Sequence, residues 1–131
     1  MQELRWPALV TLGIVGLLFL LSANAGRFRH KHRISAPATT GHPEFERAYR
    51  VQMNTIENAV IVLPVLWLFA IYLNAAWSAA FGAIWLIARV WYAVAYMNHP
   101  AKRGPAFGLS MLAFAALAIG SLWGVIQQFV H

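Results

Sequence analysis

The chain has no cysteine. That excludes a disulfide framework and any thiolate-ligated metal, and thiol chemistry here would need a thiol brought in by a substrate. Charged side chains are also scarce: Asp, Glu, Lys and Arg make up 11% of 131 residues, against 60% hydrophobic residues. This is too apolar for a soluble domain of that length and too short for a large transporter. A Ser-His-Asp set, a phosphate-binding glycine loop and a metal cluster are missing as well. The histidines do not fall at a regular ligand spacing with carboxylates, so no metal is expected. A net charge of +6 would suggest nucleic acid if the cations formed a soluble face. They cluster beside apolar segments instead, so no nucleic-acid partner is expected.

What is present is four apolar segments. The expected fold is an all-α integral membrane four-helix bundle, a single domain over 1–131 with helices at about 8–25, 44–74, 79–98 and 106–129. The first segment, Ala8–Ala25, has a rival reading as a signal peptide, because Ala23-Asn24-Ala25 resembles a cleavage site. A signal peptide carries its cations ahead of the apolar stretch, whereas here Arg27, Arg29, Lys31 and Arg33 follow it. Of the ten Lys and Arg, only Arg5 and Arg89 lie away from the first and third loops. Basic loops stay in the cytoplasm, so both termini are expected outside. Attraction to anionic lipid is a second, compatible use of the basic cluster. Uncharged Ala75–Ser78 is expected to be the outer connection.

The stretch Arg50–Asn58, RVQMNTIEN, heads the second segment. Arg50, Asn54 and Glu57 are spaced i, i+4, i+7 and share one helical face. Arg47 extends that stripe outward. Glu57 lies about 15 Å inward from Arg47, at 1.5 Å per residue, which puts a carboxylate below the headgroups. In the third segment Trp85, Arg89, Tyr92, Tyr96 and His99 fall on one face, with Arg89 roughly 14 Å from the cytoplasmic end. An ion pair is the least costly way to hold both charges in a membrane, so Glu57 and Arg89 are expected to face each other. Such a pair could also serve helix packing alone. Pro64 should kink the second helix or be accommodated by a neighbour. Gly120 and Gly124 stand at GxxxG spacing. Segments one and four look like walls, and two and three carry the chemistry.

Read as physical groups, the stripe offers guanidiniums (Arg29, Arg50, Arg103), one carboxylate (Glu57), amides (Gln52, Asn54) and phenols (Tyr92, Tyr96). Arginines suit bidentate carboxylate binding, and a carboxylate suits an ammonium. A ligand with carboxylates and an amine would match, and glutathione is one that also brings a thiol.

RFRHKHRISAPATTGHPEFERAYRVQMNTIEN, followed by ARVWYAVAYMNHPAKR, resembles the membrane-associated proteins in eicosanoid and glutathione metabolism, the MAPEG family. The resemblance covers nearly the whole chain. It implies a homotrimer of four-helix subunits that binds glutathione between neighbours near the cytoplasmic face. Carried onto matching positions, it assigns Arg50, Asn54, Glu57, Tyr92 and Tyr96 to glutathione, assisted by Arg29, Gln52 and Asn58. Arg103 matches the arginine credited with stabilising the thiolate, and Glu57 would hold the amine with Arg89 orienting it. Asn58 stands where the leukotriene-C synthase branch has tyrosine, and His30 stands where the microsomal transferase branch has a second arginine.

The implied activity is a general glutathione S-transferase, with peroxidase activity also implied. It would use glutathione as co-substrate against a hydrophobic electrophile or a lipid hydroperoxide from the bilayer. The short chain without a C-terminal retention signal leads to the expectation of a bacterial inner membrane. Two alternatives stand beside this. One is a non-enzymatic lipid-binding member of the family, against which Arg50, Asn54, Glu57 and Arg103 together argue. The other is a small multidrug exporter, disfavoured by the long basic loop.

Overall fold

The computed structural model describes residues 2–130. A 3-10 turn over Gln2–Leu4 leads into α1 (Arg5–Lys31); α2 (Pro43–Tyr72) and α3 (Ala75–Asn98) follow, and a 3-10 turn at Pro100–Lys102 precedes α4 (Gly104–Val130). All four helices are long and apolar enough to cross a membrane.

Helix boundaries differ from the apolar boundaries for local reasons. α1 runs on past Ala25, because Arg29, His30 and Lys31 lie in its last turn and complement the negative end of the helix dipole. α2 opens with Pro43 at its first turn, capped by His42, whose Nδ1 accepts from the Glu44 amide at 3.1 Å. α3 starts at Ala75, ahead of the expected Ala79. Asn74 is its N-cap, with Oδ1 accepting from the Trp77 amide at 2.8 Å. The expected connector, Ala75–Ser78, is therefore the first turn of a helix, and Leu73 and Asn74 alone join α2 to α3.

α2 and α3 each pack against the other three helices. The central core comprises Ile14, Val62, Leu66, Phe69, Trp85 and Leu117. A second cluster nearer the basic loops joins Leu17, Leu21, Val51, Tyr92 and Ala106, and a third joins Ala25, Phe28, Phe45 and Ala48. Large apolar side chains such as Leu12, Phe19, Val60, Ile87, Leu112 and Ile119 point outward. An aqueous surface would not tolerate that pattern, but a bilayer or a protein neighbour would.

Pro64 is accommodated within a continuous α2. The carbonyls just beyond it are engaged from neighbouring helices: Ser121 Oγ donates to Val65 O at 2.7 Å, and Ser78 Oγ donates to Leu66 O. α4 is therefore not a plain wall, for Ser110 and Ser121 are buried and hydrogen-bonded. Gly120 and Gly124 both face α2. A Cβ on Gly120 would collide with Phe69, and one on Gly124 would lie 2.9 Å from the Tyr72 carbonyl oxygen. The GxxxG spacing serves the α2–α4 contact inside this chain.

Candidate active site

Six of the residues singled out by sequence meet around one cavity of about 260 Å³: Arg50, Asn54 and Glu57 from α2, Tyr92 and Tyr96 from α3, and Arg103 from the turn before α4. The i, i+4, i+7 spacing aligns the α2 trio along one line, and the i, i+4 spacing does the same for the tyrosines. Their rings meet edge-on, 5.7 Å apart. Arg103 is held from two sides: Nη1 donates to Pro100 O at 2.6 Å, and the guanidinium lies 5.0 Å from the Tyr96 ring centre. A second cavity of about 520 Å³ shares Arg50 and Tyr96 with the first and is bounded by Thr39, Thr40, Pro43 and Glu46. It lies between the site and the first loop. A roomier cavity of about 720 Å³ lies at the far end, against Glu3, Arg5 and Asn74, and shares none of these groups.

Arg89 does not face Glu57. Its side chain is fully buried, and Nη2 donates to Asn54 Oδ1 at 2.7 Å and to Thr55 Oγ1 at 2.8 Å. Nη1 reaches Ser110 Oγ at 3.5 Å. Its guanidinium lies 4.1 Å from the Tyr92 ring centre. Neutral acceptors and an aromatic face thus replace the expected carboxylate, and Nε has no partner. Glu57 is exposed at the cavity rim and makes no ion pair among the described residues. The expected pairing fails because Asn54, one turn nearer the basic end, reaches Arg89 first.

This has a chemical consequence. A guanidinium can only donate, so Asn54 must turn its oxygen toward Arg89. Asn58 Nδ2 also lies near that oxygen, at 3.4 Å, and donates to Asn54 O at 2.8 Å. With Oδ1 so engaged, the Asn54 NH2 is the end left for the cavity it lines, which makes it a donor to an incoming oxygen.

Besides Arg89, four expected site residues do not line the cavity. Arg29 donates to Ala38 O at 2.9 Å and stacks on Phe45 at 4.6 Å. His30 is exposed on α1, and Gln52 projects from a different face of α2. Asn58 instead donates to the Asn54 carbonyl. Sequence reading missed Thr55 and Ser110, the other two acceptors for Arg89. A hydroxyl within an apolar run was the available signal.

The family model described as MAPEG family matches residues 7–123. The chain belongs to the MAPEG family. A mouse microsomal glutathione S-transferase 2 is 35% identical over 81% of this chain and 72% of its own length. A guinea pig leukotriene C4 synthase is 34% identical over 98% of this chain and 86% of its own. An uncharacterized protein of the bacterium Synechocystis is 44% identical over 96% and 92%. With four membrane-length helices, this MAPEG chain is an integral membrane protein related to glutathione-using enzymes.

One further cluster lies outside the cavity of this MAPEG protein. His32, His42 and Glu44 place ligand-type atoms within 4.8 Å of one another. The two imidazoles are nearly parallel, 9° apart with centres at 3.5 Å, so their in-plane lone pairs do not converge. His42 Nδ1 is already engaged as the α2 cap, and His32 Nε2 meets Glu44 Oε1 at 2.9 Å. Lys31 adds an ion pair to the same carboxylate at 3.4 Å. As arranged, the cluster clasps the end of α1 to the start of α2, and this clasp closes the loop that borders the second cavity.

Proposed function

We propose that this protein is a membrane-bound glutathione S-transferase that ionises the glutathione thiol for attack on apolar electrophiles dissolved in the bilayer. The observation that carries the reading is the convergence of Arg50, Asn54, Glu57, Tyr92, Tyr96 and Arg103 on one cavity. These groups match the polar features of a zwitterionic tripeptide. Arg50 pairs with a carboxylate, the Asn54 amide donates to an oxygen, and Glu57 accepts from the ammonium. Taken with the adjoining cavity, the space falls in the usual range for small-molecule sites, about 300–1,000 Å³.

Arg103 is the catalytic candidate. A free thiol ionises near pH 8.5, and a guanidinium beside it favours the thiolate at neutral pH. The thiol proton passes to solvent, the sulfur lone pair forms the bond to the electrophilic carbon, and the leaving group departs with its bonding electrons. An arginine remains charged throughout, so it stabilises the anion without exchanging a proton.

The site is completed by a second copy of the chain, in the homotrimer the family resemblance implies. Glu57 is exposed at a depth where a lone carboxylate is costly, and Arg29 and Gln52 lie off the cavity of their own chain. The basic loops face the cytoplasm, where glutathione is abundant in reduced form.

The test is conjugation of glutathione to 1-chloro-2,4-dinitrobenzene by the detergent-solubilised protein, with glutathione binding followed by calorimetry. Turnover together with saturable binding is expected. Absence of both would overturn the proposal, and binding without turnover would point to a non-enzymatic member of the family.

A further inference from the structure

A groove of about 600 Å³ lies on the outer side of α3 near the basic loops and shares no lining residue with the candidate site. Its wall is apolar, made by Trp91, Val94 and Ala95 of α3 and Pro105 of α4, and its upper rim carries His99 and Lys102. Trp91 and Val94 are 47% and 55% exposed. Lys102 makes no ion pair among the described residues.

The arrangement is graded along the membrane normal. Trp91 lies about 10 Å from Asn98 along the helix, seven residues at 1.5 Å each. The apolar wall therefore begins at the depth of the first acyl carbons, and the cation sits at headgroup level. A purely apolar substrate would leave Lys102 and His99 unused, and a small soluble anion would leave the wall bare. An anionic amphiphile uses both.

We propose that this groove seats one anionic phospholipid of the surrounding bilayer, with its phosphate on Lys102 and His99 and one acyl chain along Trp91 and Val94. The occupant is distinct from glutathione and from the electrophile. The groove lies on a different face of α3 from Tyr92 and Tyr96. The two sites nevertheless share one piece of backbone. The Lys102 amide donates to His99 O at 2.8 Å and the Arg103 amide to Pro100 O at 3.3 Å, so a single 3-10 turn presents Lys102 to the groove and Arg103 to the cavity. The lipid seat steadies the turn on which Arg103 is mounted.

The experiment is tryptophan quenching by brominated phospholipids in nanodiscs. The Trp91 signal is isolated as the difference between the wild-type protein and Trp91→Phe. Brominated phosphatidylglycerol should quench Trp91 at a several-fold lower mole fraction than brominated phosphatidylcholine, and Lys102→Glu should abolish that preference. Native mass spectrometry of the same proteins should show phosphatidylglycerol retained on wild type and lost from Lys102→Glu. Equal quenching by both lipids, or a preference that survives Lys102→Glu, would overturn the headgroup assignment. Trp91 dark to both lipids would show that another protein surface, such as a second copy of the chain, covers the groove. Displacement by free glycerol phosphate at equal concentration would show that the acyl chain contributes nothing, and would overturn the seat as a lipid site.

Discussion

Arg89 Nη2 lies 2.7 Å from Asn54 Oδ1, and the carboxylate of Glu57 is left at the cavity rim without a cationic partner among the described residues. The buried cation thus stands behind the cavity-lining groups, and the one carboxylate among them is left open to the cavity, as the proposed glutathione site requires. A mutual ion pair would have closed the site with its own charges.

Arg89→Met separates the two arrangements. Breaking a buried ion pair costs about 3–5 kcal/mol, because the surviving charge is stranded. Here the groups left behind are neutral, an amide and two hydroxyls, and removing the buried cation also removes its desolvation cost, so the net loss is smaller than for a broken ion pair. The melting temperature in detergent should stay within a few degrees of wild type. Glutathione affinity should fall about tenfold, or about 1.4 kcal/mol, because the Asn54 amide loses its fixed orientation. Thermal melting and calorimetry on one preparation check both. Collapse of the melting temperature would argue that a charge partner had been removed.

Arg103→Ala should lower turnover about a hundredfold while leaving the glutathione dissociation constant within a few-fold, because the guanidinium acts on the sulfur in the reacting state. The sign of the pH effect follows. Without the cation the bound thiol ionises closer to pH 8.5, so the rising limb of the rate profile moves to higher pH. Stopped-flow absorbance of the thiolate in the near ultraviolet reads this directly. A profile unchanged in position would assign Arg103 to binding.

Glu57→Gln should weaken glutathione binding about tenfold or more without changing the melting temperature, since Glu57 makes no ion pair among the described residues. The same variant should bind deaminated glutathione as wild type does. Comparing the two ligands on the two proteins isolates the carboxylate–ammonium contact. Equal losses for both ligands would mean that Glu57 acts through packing.

Gly124→Ala tests the α2–α4 approach. The added Cβ would lie 2.9 Å from the Tyr72 carbonyl oxygen, which is backbone and cannot rotate aside. A loss of about 1–3 kcal/mol of stability is expected, seen as a lower melting temperature in detergent. Gly108→Ala, where nothing lies within 4 Å of the added carbon, serves as the control.

By itself the sequence determined the number and type of helices and the face each polar stripe occupies. Hydrophobic length and helical periodicity are local properties, and Arg50, Asn54, Glu57, Tyr92 and Tyr96 could be aligned from spacing alone. It put the start of α2 at about residue 44, beside the observed Pro43, but Asn74, expected to end the second helix, instead caps the third. Which groups meet across helices was a matter for tertiary structure. The axial offset between α2 and α3 decides whether Arg89 reaches Asn54 or Glu57, and three residues of helix, about 4.5 Å, separate a closed ion pair from an open site. That offset is set by the packing of residues such as Val62, Leu66 and Trp85, which no spacing within either helix encodes. The partners of Arg89 on Thr55 and Ser110 emerged for the same reason, since a hydroxyl in an apolar helix acquires its role only when another helix brings a donor to it.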